Sequence, residues 1–219
     1  CTESTSDDSA AVAGDEPSYL LASLVFGAEG TTSYVSLLDT LEGSVDLATA
    51  YEFPGLSDAW VHEGAVYIAE TETLTVTRYE VEGGALVENG VVSFANYGLI
   101  DVAFWVNSFA SPTRAYYLNG ATELIAWNPQ TMEIEGAIPL PQKEREGFMA
   151  FPGYADRAAV VRDGKLYQPI YWTDDTYFQF TQDSRIVVVD IATDTVEGVL
   201  DVPCPGVDYG ALDEDGTIW

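Results

Sequence analysis

Basic side chains are scarce. The 219 residues carry 8 Lys and Arg against 36 Asp and Glu, a formal net charge of −28. Nucleic acids and anionic membrane surfaces are therefore excluded as direct ligands, because both would be repelled. Histidine is scarcer still: His62 is the only one, so a Ser-His-Asp or Cys-His arrangement would have to use it. It sits in His62-Glu63-Gly64, which reads as an exposed hairpin turn. One histidine with two cysteines also excludes a conventional zinc, haem or copper site within this stretch. Lys143 and Lys165 are the only lysines, which leaves little for Schiff-base chemistry. There is no Gly-x-Gly-x-x-Gly or Gly-Lys-Ser phosphate loop. Nor is there a run of about 18 apolar residues to cross a bilayer as a helix.

What is present is apolar and aromatic. At 47% hydrophobic and 12% aromatic residues, the chain is too rich for a disordered acidic segment, and it is long enough to bury a sizeable core. The acidity has two readings: an extracellular surface that favours cations, or solubilisation in a salty habitat.

The numbering starts at Cys1, and residues 1–17 are small, polar and acidic, without apolar periodicity. They read as a flexible tether. A cysteine ahead of such a tether resembles the start of a mature bacterial lipoprotein. That resemblance implies acyl chains on Cys1, a membrane partnership through the lipid anchor and an extracytoplasmic location. Thr2, standing where an aspartate would redirect sorting, implies the outer membrane. The second cysteine, Cys204, is a poor disulfide partner for a residue on a tether and reads as a buried thiol.

Residues 18–219 carry an internal repeat. A glycine turn, a carboxylate, a strand, a tight turn and an aromatic-bearing strand recur in order. The copies begin at Phe53-Pro54-Gly55, Tyr97-Gly98, Phe151-Pro152-Gly153 and Pro205-Gly206. The aromatic marker falls at Tyr67, Tyr117, Tyr167 and Trp219, spacings of 50, 50 and 52, and Tyr19 extends the series backward by 48. Two further strand-like runs follow each marker, for example Leu124–Trp127 and Glu133–Ile138, joined by Asn128-Pro129-Gln130-Thr131. Asn, Asp, Pro and Thr suit such turns through their own side chains or a fixed φ. Four short strands in about 50 residues is the signature of a β-propeller blade. A β-sandwich is the rival, but it does not explain the self-similarity. The expectation is an all-β fold: a partial β-propeller of about four four-stranded blades, the N-terminal fragment of a longer ring.

The phrases Ser184–Asp190 with Thr193-Asp194-Thr195-Val196, and Asp163-Gly164-Lys165-Leu166-Tyr167, are similar to YVTN and quinoprotein-like propeller repeats. A closer likeness is to the surface lipoproteins encoded beside myxobacterial siderophore (myxochelin) genes. It is carried by Thr75–Tyr79, Ala126–Pro129, Asp156–Tyr167 and Tyr171–Asp174. The likeness implies a secreted, lipid-anchored, non-enzymatic protein linked to iron uptake.

Two groups of residues are candidate ligand contacts. Asp58, Asp101, Asp156 and Asp208 each lead into the innermost strand of a blade, where loops ring the channel mouth. Asp58, Asp101 and Asp156 there could hold a hard cation such as calcium, or simply cap their turns. The second group lies in Tyr171–Phe180, an enlarged connection between second and third strands that opens on the same face as the long loop Pro141–Met149. Asp156, Tyr171, Trp172, Asp174, Asp175 and Tyr177 are the ligand-binding candidates, since rings give rigid contact area and carboxylates fix a charge. The same rings read equally well as a long hairpin packed into its blade. Asp213-Glu214-Asp215-Gly216 is a hairpin turn, being too short for an EF-hand loop. The leading functional expectation is a propeller that binds a small molecule or protein partner without chemistry. The alternatives are a propeller enzyme (lyase, calcium-dependent hydrolase or quinoprotein-type dehydrogenase) whose catalytic residues lie in further blades, and an envelope scaffold whose acidity only solubilises.

Overall fold

The computed structural model describes residues 19–26, 32–39, 44–45, 50–55, 57–70, 72–97, 107–141, 143–152, 159–176, 179–181 and 183–205. Apart from one 3-10 turn at Ala95–Tyr97, every regular element among them is a strand. The strands form four antiparallel sheets. The first holds β1 (Tyr19–Phe26), β2 (Thr32–Asp39), β3 (Ser44–Val45) and β4 (Tyr51–Pro54). In it β3 and β4 pair with different ends of β2. The second runs in chain order through β5 (Ser57–His62), β6 (Ala65–Glu70), β7 (Thr75–Glu82) and β8 (Ala85–Ser93). The third does the same with β9 (Asn107–Ser111), β10 (Arg114–Asn119), β11 (Glu123–Asn128) and β12 (Glu133–Pro139). The fourth has five strands: β13 (Met149–Pro152), β14 (Val160–Arg162), β15 (Lys165–Thr173), β16 (Ser184–Asp190) and β17 (Thr195–Val202).

Burial follows position in the sheet. The middle strands β6, β10 and β11 are buried almost end to end. Near-continuous apolar runs such as Ala65–Ala69 and Leu124–Trp127 suit strands covered on both faces. The outer strands β12 and β17 are instead mostly exposed or half-buried, with Ile138 their one buried residue. On β6 alternate side chains serve different neighbours. Val66 and Ile68 join Val35 and Phe53 of the first sheet, while Ala65, Tyr67 and Ala69 join a larger cluster shared with the third and fourth sheets. Period-2 alternation on a sheet covered from both sides produces this double allegiance. Within the larger cluster Phe94 stacks on Tyr117 at 4.7 Å between ring centres, and Trp127 meets Phe94 and Phe109 edge-on.

Tyrosine hydroxyls tie the second sheet to a hairpin turn of the third, and the third to a hairpin turn of the fourth. Tyr67 donates to the Pro129 carbonyl at 3.0 Å, and Tyr116 donates to the Asp194 carboxylate at 2.6 Å. Burial, then the hydrogen bond and charge of Asp194, pushes the Tyr116 hydroxyl far above its ordinary value. Gly90, with φ of 126°, lets β8 approach the next sheet, since a Cβ there would lie 2.8 Å from Met132 Cγ. The turns close as their residue types require. Asn128 Oδ1 accepts from the Gln130 and Thr131 N–H groups, and Asp190 Oδ1 accepts from the Thr193 N–H and hydroxyl. The ladder between third and fourth strands bulges at Thr77/Tyr79, Ala126/Trp127 and Val188/Val189, a structural echo of the repeat. Four consecutive antiparallel sheets packed face to face in this way are blades of a β-propeller.

Several details differ from the sequence reading. Asp58 lies inside β5, paired with Ala69, and its carboxylate accepts the Ala59 N–H at 2.8 Å. His62 is no exposed turn residue. It ends β5, half-buried, stacks on Phe109 at 4.6 Å and lies 3.1 Å from the Ser111 carbonyl, because its ring turns from the exposed hairpin tip toward the third sheet. Cys204 is exposed, just beyond the end of β17, and not a buried thiol. The innermost strand of the third sheet is Asn107–Ser111; the 102–105 stretch expected there lies outside the described residues. Part of the long Pro141–Met149 connection leads into a strand, β13. That strand pairs with β15 over Met149↔Thr173 to Pro152↔Ile170, which carries β15 two residues past Tyr171.

Candidate functional site

The site lies where the 140–148 segment passes the end of β15 and the start of β16. Pairing with β13 holds Tyr171, Trp172 and Thr173 in extended strand. The chain then turns at Asp174, whose carboxylate accepts from the Thr176 hydroxyl at 2.8 Å and the Gln179 N–H at 3.2 Å. It returns with Phe180 bridged to Thr173 and the Thr181 N–H donating to the Trp172 carbonyl. On the other side, Arg145–Phe148 form a tight turn with Gly147 at φ of 76° and the Phe148 N–H on the Arg145 carbonyl. Glycine suits that third position because it accepts positive φ without a clash.

The two segments meet at one indole. Trp172, 1% exposed, donates its ring N–H to the Lys143 carbonyl at 3.0 Å. Three cations surround its ring: Lys143 Nζ at 5.7 Å from the centre, and the Arg145 and Arg185 guanidinium carbons at 5.3 and 5.5 Å. Each such contact contributes about 0.5–2 kcal/mol. Three of the chain's eight basic residues thus converge on one side chain. Carboxylates partly balance them. Asp183 pairs with Arg145 and, at 3.3 Å, with Lys143; Asp201 lies 3.4 Å from Lys143 and 3.6 Å from Arg185. Arg185 also donates to the Pro141 carbonyl at 3.1 Å. Partial burial acts to raise the Asp183 carboxyl, but the Lys143 hydrogen bond and the Arg145 and Lys143 charges outweigh it and hold the group below its ordinary value. The Nε atoms of Arg145 and Arg185 are buried with no hydrogen-bond partner among the described residues. Lys143, Arg145, Phe148, Ala150 and Trp172 line a cleft of about 670 Å³, with Glu144 and Glu146 on it as well.

The sequence candidates fall unevenly around this cleft. Trp172 lines it; Tyr171 is buried beside Phe180, 5.6 Å between ring centres. Asp174 closes its own loop, and Asp175 is exposed next to it. Tyr177, Asp156, Asp101, Asp208 and Cys1 lie outside the described residues. Of the three carboxylates considered for calcium, Asp58 is thus the one described, and the described residues contain no group of three His, Cys, Asp or Glu side chains placed to hold a metal ion. The sequence reading missed Lys143, Arg145, Asp183, Arg185 and Asp201. A usable signal was there: in a chain this poor in cations, two of them stand together in Lys143-Glu144-Arg145.

No protein-family model and no curated protein sequence matches the chain. Solved structures do. Hydrazine synthase from Kuenenia stuttgartiensis superposes with a TM-score of 0.52 at 12% identity, over 80% of this chain and 47% of its own. Glutaminyl cyclase from Myxococcus xanthus gives 0.41 at 12% identity, over 78% and 62%, and BamB from Moraxella catarrhalis gives 0.41 at 11%, over 82% and 61%. The chain therefore spans between about half and three fifths of the length of these structures. At such identities the likeness concerns fold alone: this chain has the blades of a β-propeller, an architecture that enzymes and binding proteins share.

Proposed function

We propose that the protein is a non-enzymatic propeller, carried outside the cytoplasm on a lipid anchor at Cys1, that binds a ligand in the cleft beside Trp172. One observation carries the binding reading: the concentration of cations around a buried indole at the wall of an open cleft, in a chain otherwise dominated by negative charge. Ligand sites combine apolar walls with a few fixed charges in this way. The engagement of His62 in contacts between sheets supports a non-catalytic reading, since it removes the sequence's one imidazole from the cleft. The likeness to lipoproteins of siderophore gene clusters supplies an iron-uptake setting. The test is calorimetric titration of the full chain with ferric siderophore, metal-free siderophore and calcium. Saturable heat with either siderophore form, lost in Trp172→Ala, is the expected result; silence with all three sinks the reading. Cys1→Ser tests the anchor, and should move the protein from the membrane to the soluble fraction.

A further inference from the structure

Among the carboxylates near the cleft, Asp183 has a distinctive position. Among the described residues it is the one anion shared by Lys143 and Arg145, the two cations that line the cavity. Arg145 meets it through one terminal nitrogen only, and its Nε stays buried and without an acceptor among the described residues. A guanidinium holds a carboxylate best through two parallel N–H bonds, for example from Nε and a terminal nitrogen together. The present pairing therefore leaves donor capacity unused in a place where an unmet donor costs free energy. Phe148, Ala150 and Trp172 give the lining its apolar part, two of them aromatic. Glu144 and Glu146 stand on the same cavity. Their charges oppose a multiply charged anion such as phosphate more strongly than a monoanion.

From these features we propose that the cleft takes a monocarboxylate attached to a flat ring, and that Asp183 is a built-in substitute that holds the carboxylate's place between Lys143 and Arg145 until the ligand displaces it. This rests on the binding reading above and gives it a ligand class. In the bound state the ligand carboxylate takes both the Nε edge of Arg145 and the ammonium of Lys143, the ring lies along Phe148, and Asp183 turns to solvent. The substitute keeps the two cations from remaining unpaired in the empty cleft, at the cost of competing with the ligand.

The test uses the full chain and its tryptophan fluorescence, with benzoate as ligand and benzamide, acetate and inorganic phosphate as comparisons. Benzoate is expected to give a saturable change, while benzamide (same ring, no charge), acetate (same charge, no ring) and phosphate give none in the same range. Asp183→Asn removes the competitor and should tighten benzoate about tenfold, whereas Arg145→Gln should weaken it at least about tenfold. Benzamide binding as well as benzoate, or Asp183→Asn failing to tighten it, overturns the proposal. The first comparison needs no variant, so it decides the matter even where a substitution unfolds the loop. If benzoate is silent while a siderophore titrates, the ligand class is wrong and the binding reading stands; if both are silent, both fall.

Discussion

The third and fourth sheets are built on one plan and held by different forces. The third is a minimal blade: four strands in chain order, with Tyr116, Tyr117, Leu118, Leu124, Ile125 and Trp127 almost fully excluded from water. The fourth adds β13 end to end with β14 along β15, and beside that insertion the packing becomes ionic, with Lys143, Arg145 and Arg185 around Trp172 and two aspartates behind them. The same residue type therefore does two jobs. Trp127 fills an apolar core among Tyr67, Phe94 and Phe109, while Trp172 fastens a loop through its ring face and its N–H. The third sheet has its own ion pairs, Arg114 with Glu135 and Asp194, but the crowding of three cations on one ring belongs to the blade that borders the cleft.

The largest contrast should appear at these two tryptophans. Trp127→Ala leaves a cavity in the shared core and is expected to lower stability by about 3–5 kcal/mol in denaturant unfolding. Trp172→Phe keeps a ring for the cations but loses the hydrogen bond to Lys143, and should cost about 1 kcal/mol. Equal losses would mean that the two tryptophans are held alike. Between these two in size, Tyr116→Phe removes the link from the third sheet to Asp194. It is expected to cost about 1–2 kcal/mol by the same measurement, because a charged acceptor is involved.

The smallest effect is acid release of the loop. Asp183 sits below its ordinary value of 3.8. A lowered carboxyl contributes stability that is complete above the ordinary value and fades as pH falls through the lowered one. Tryptophan fluorescence should thus stay level down to about pH 4 and shift below it, and Asp183→Asn should flatten that shift. An onset well above pH 5 would assign the loosening to another group.

The last three strands of the third sheet were legible in advance for the reason that makes them stable, whereas its first strand, Asn107–Ser111, was not. Leu124–Trp127 and the marker Tyr117 advertise strands buried on both faces, and Asn128 and Asp190 advertise turns closed by their own side chains. The additions to the fourth sheet were not. Met149-Ala150-Phe151-Pro152 is short and ends in proline; it is a strand because β15 offers it a ladder, not because of its own preference. The ionic cluster was hidden for a related reason. Lys143, Arg145, Asp183, Arg185 and Asp201 are scattered along the chain, and a net charge summed over the whole sequence reports none of their local grouping. His62 was misjudged because the sequence shows its hairpin but not the neighbouring sheet that covers it.

The divided side chains of β6 have a consequence for how the molecule comes apart. Detaching the first sheet uncovers Val66 and Ile68, and detaching the third uncovers Tyr67 and Ala69, all from the same strand. No interior sheet can leave without stranding apolar surface on both of its former companions. Backbone amides of β6 and β10 should consequently exchange with solvent in a single concerted opening, rather than one wedge at a time.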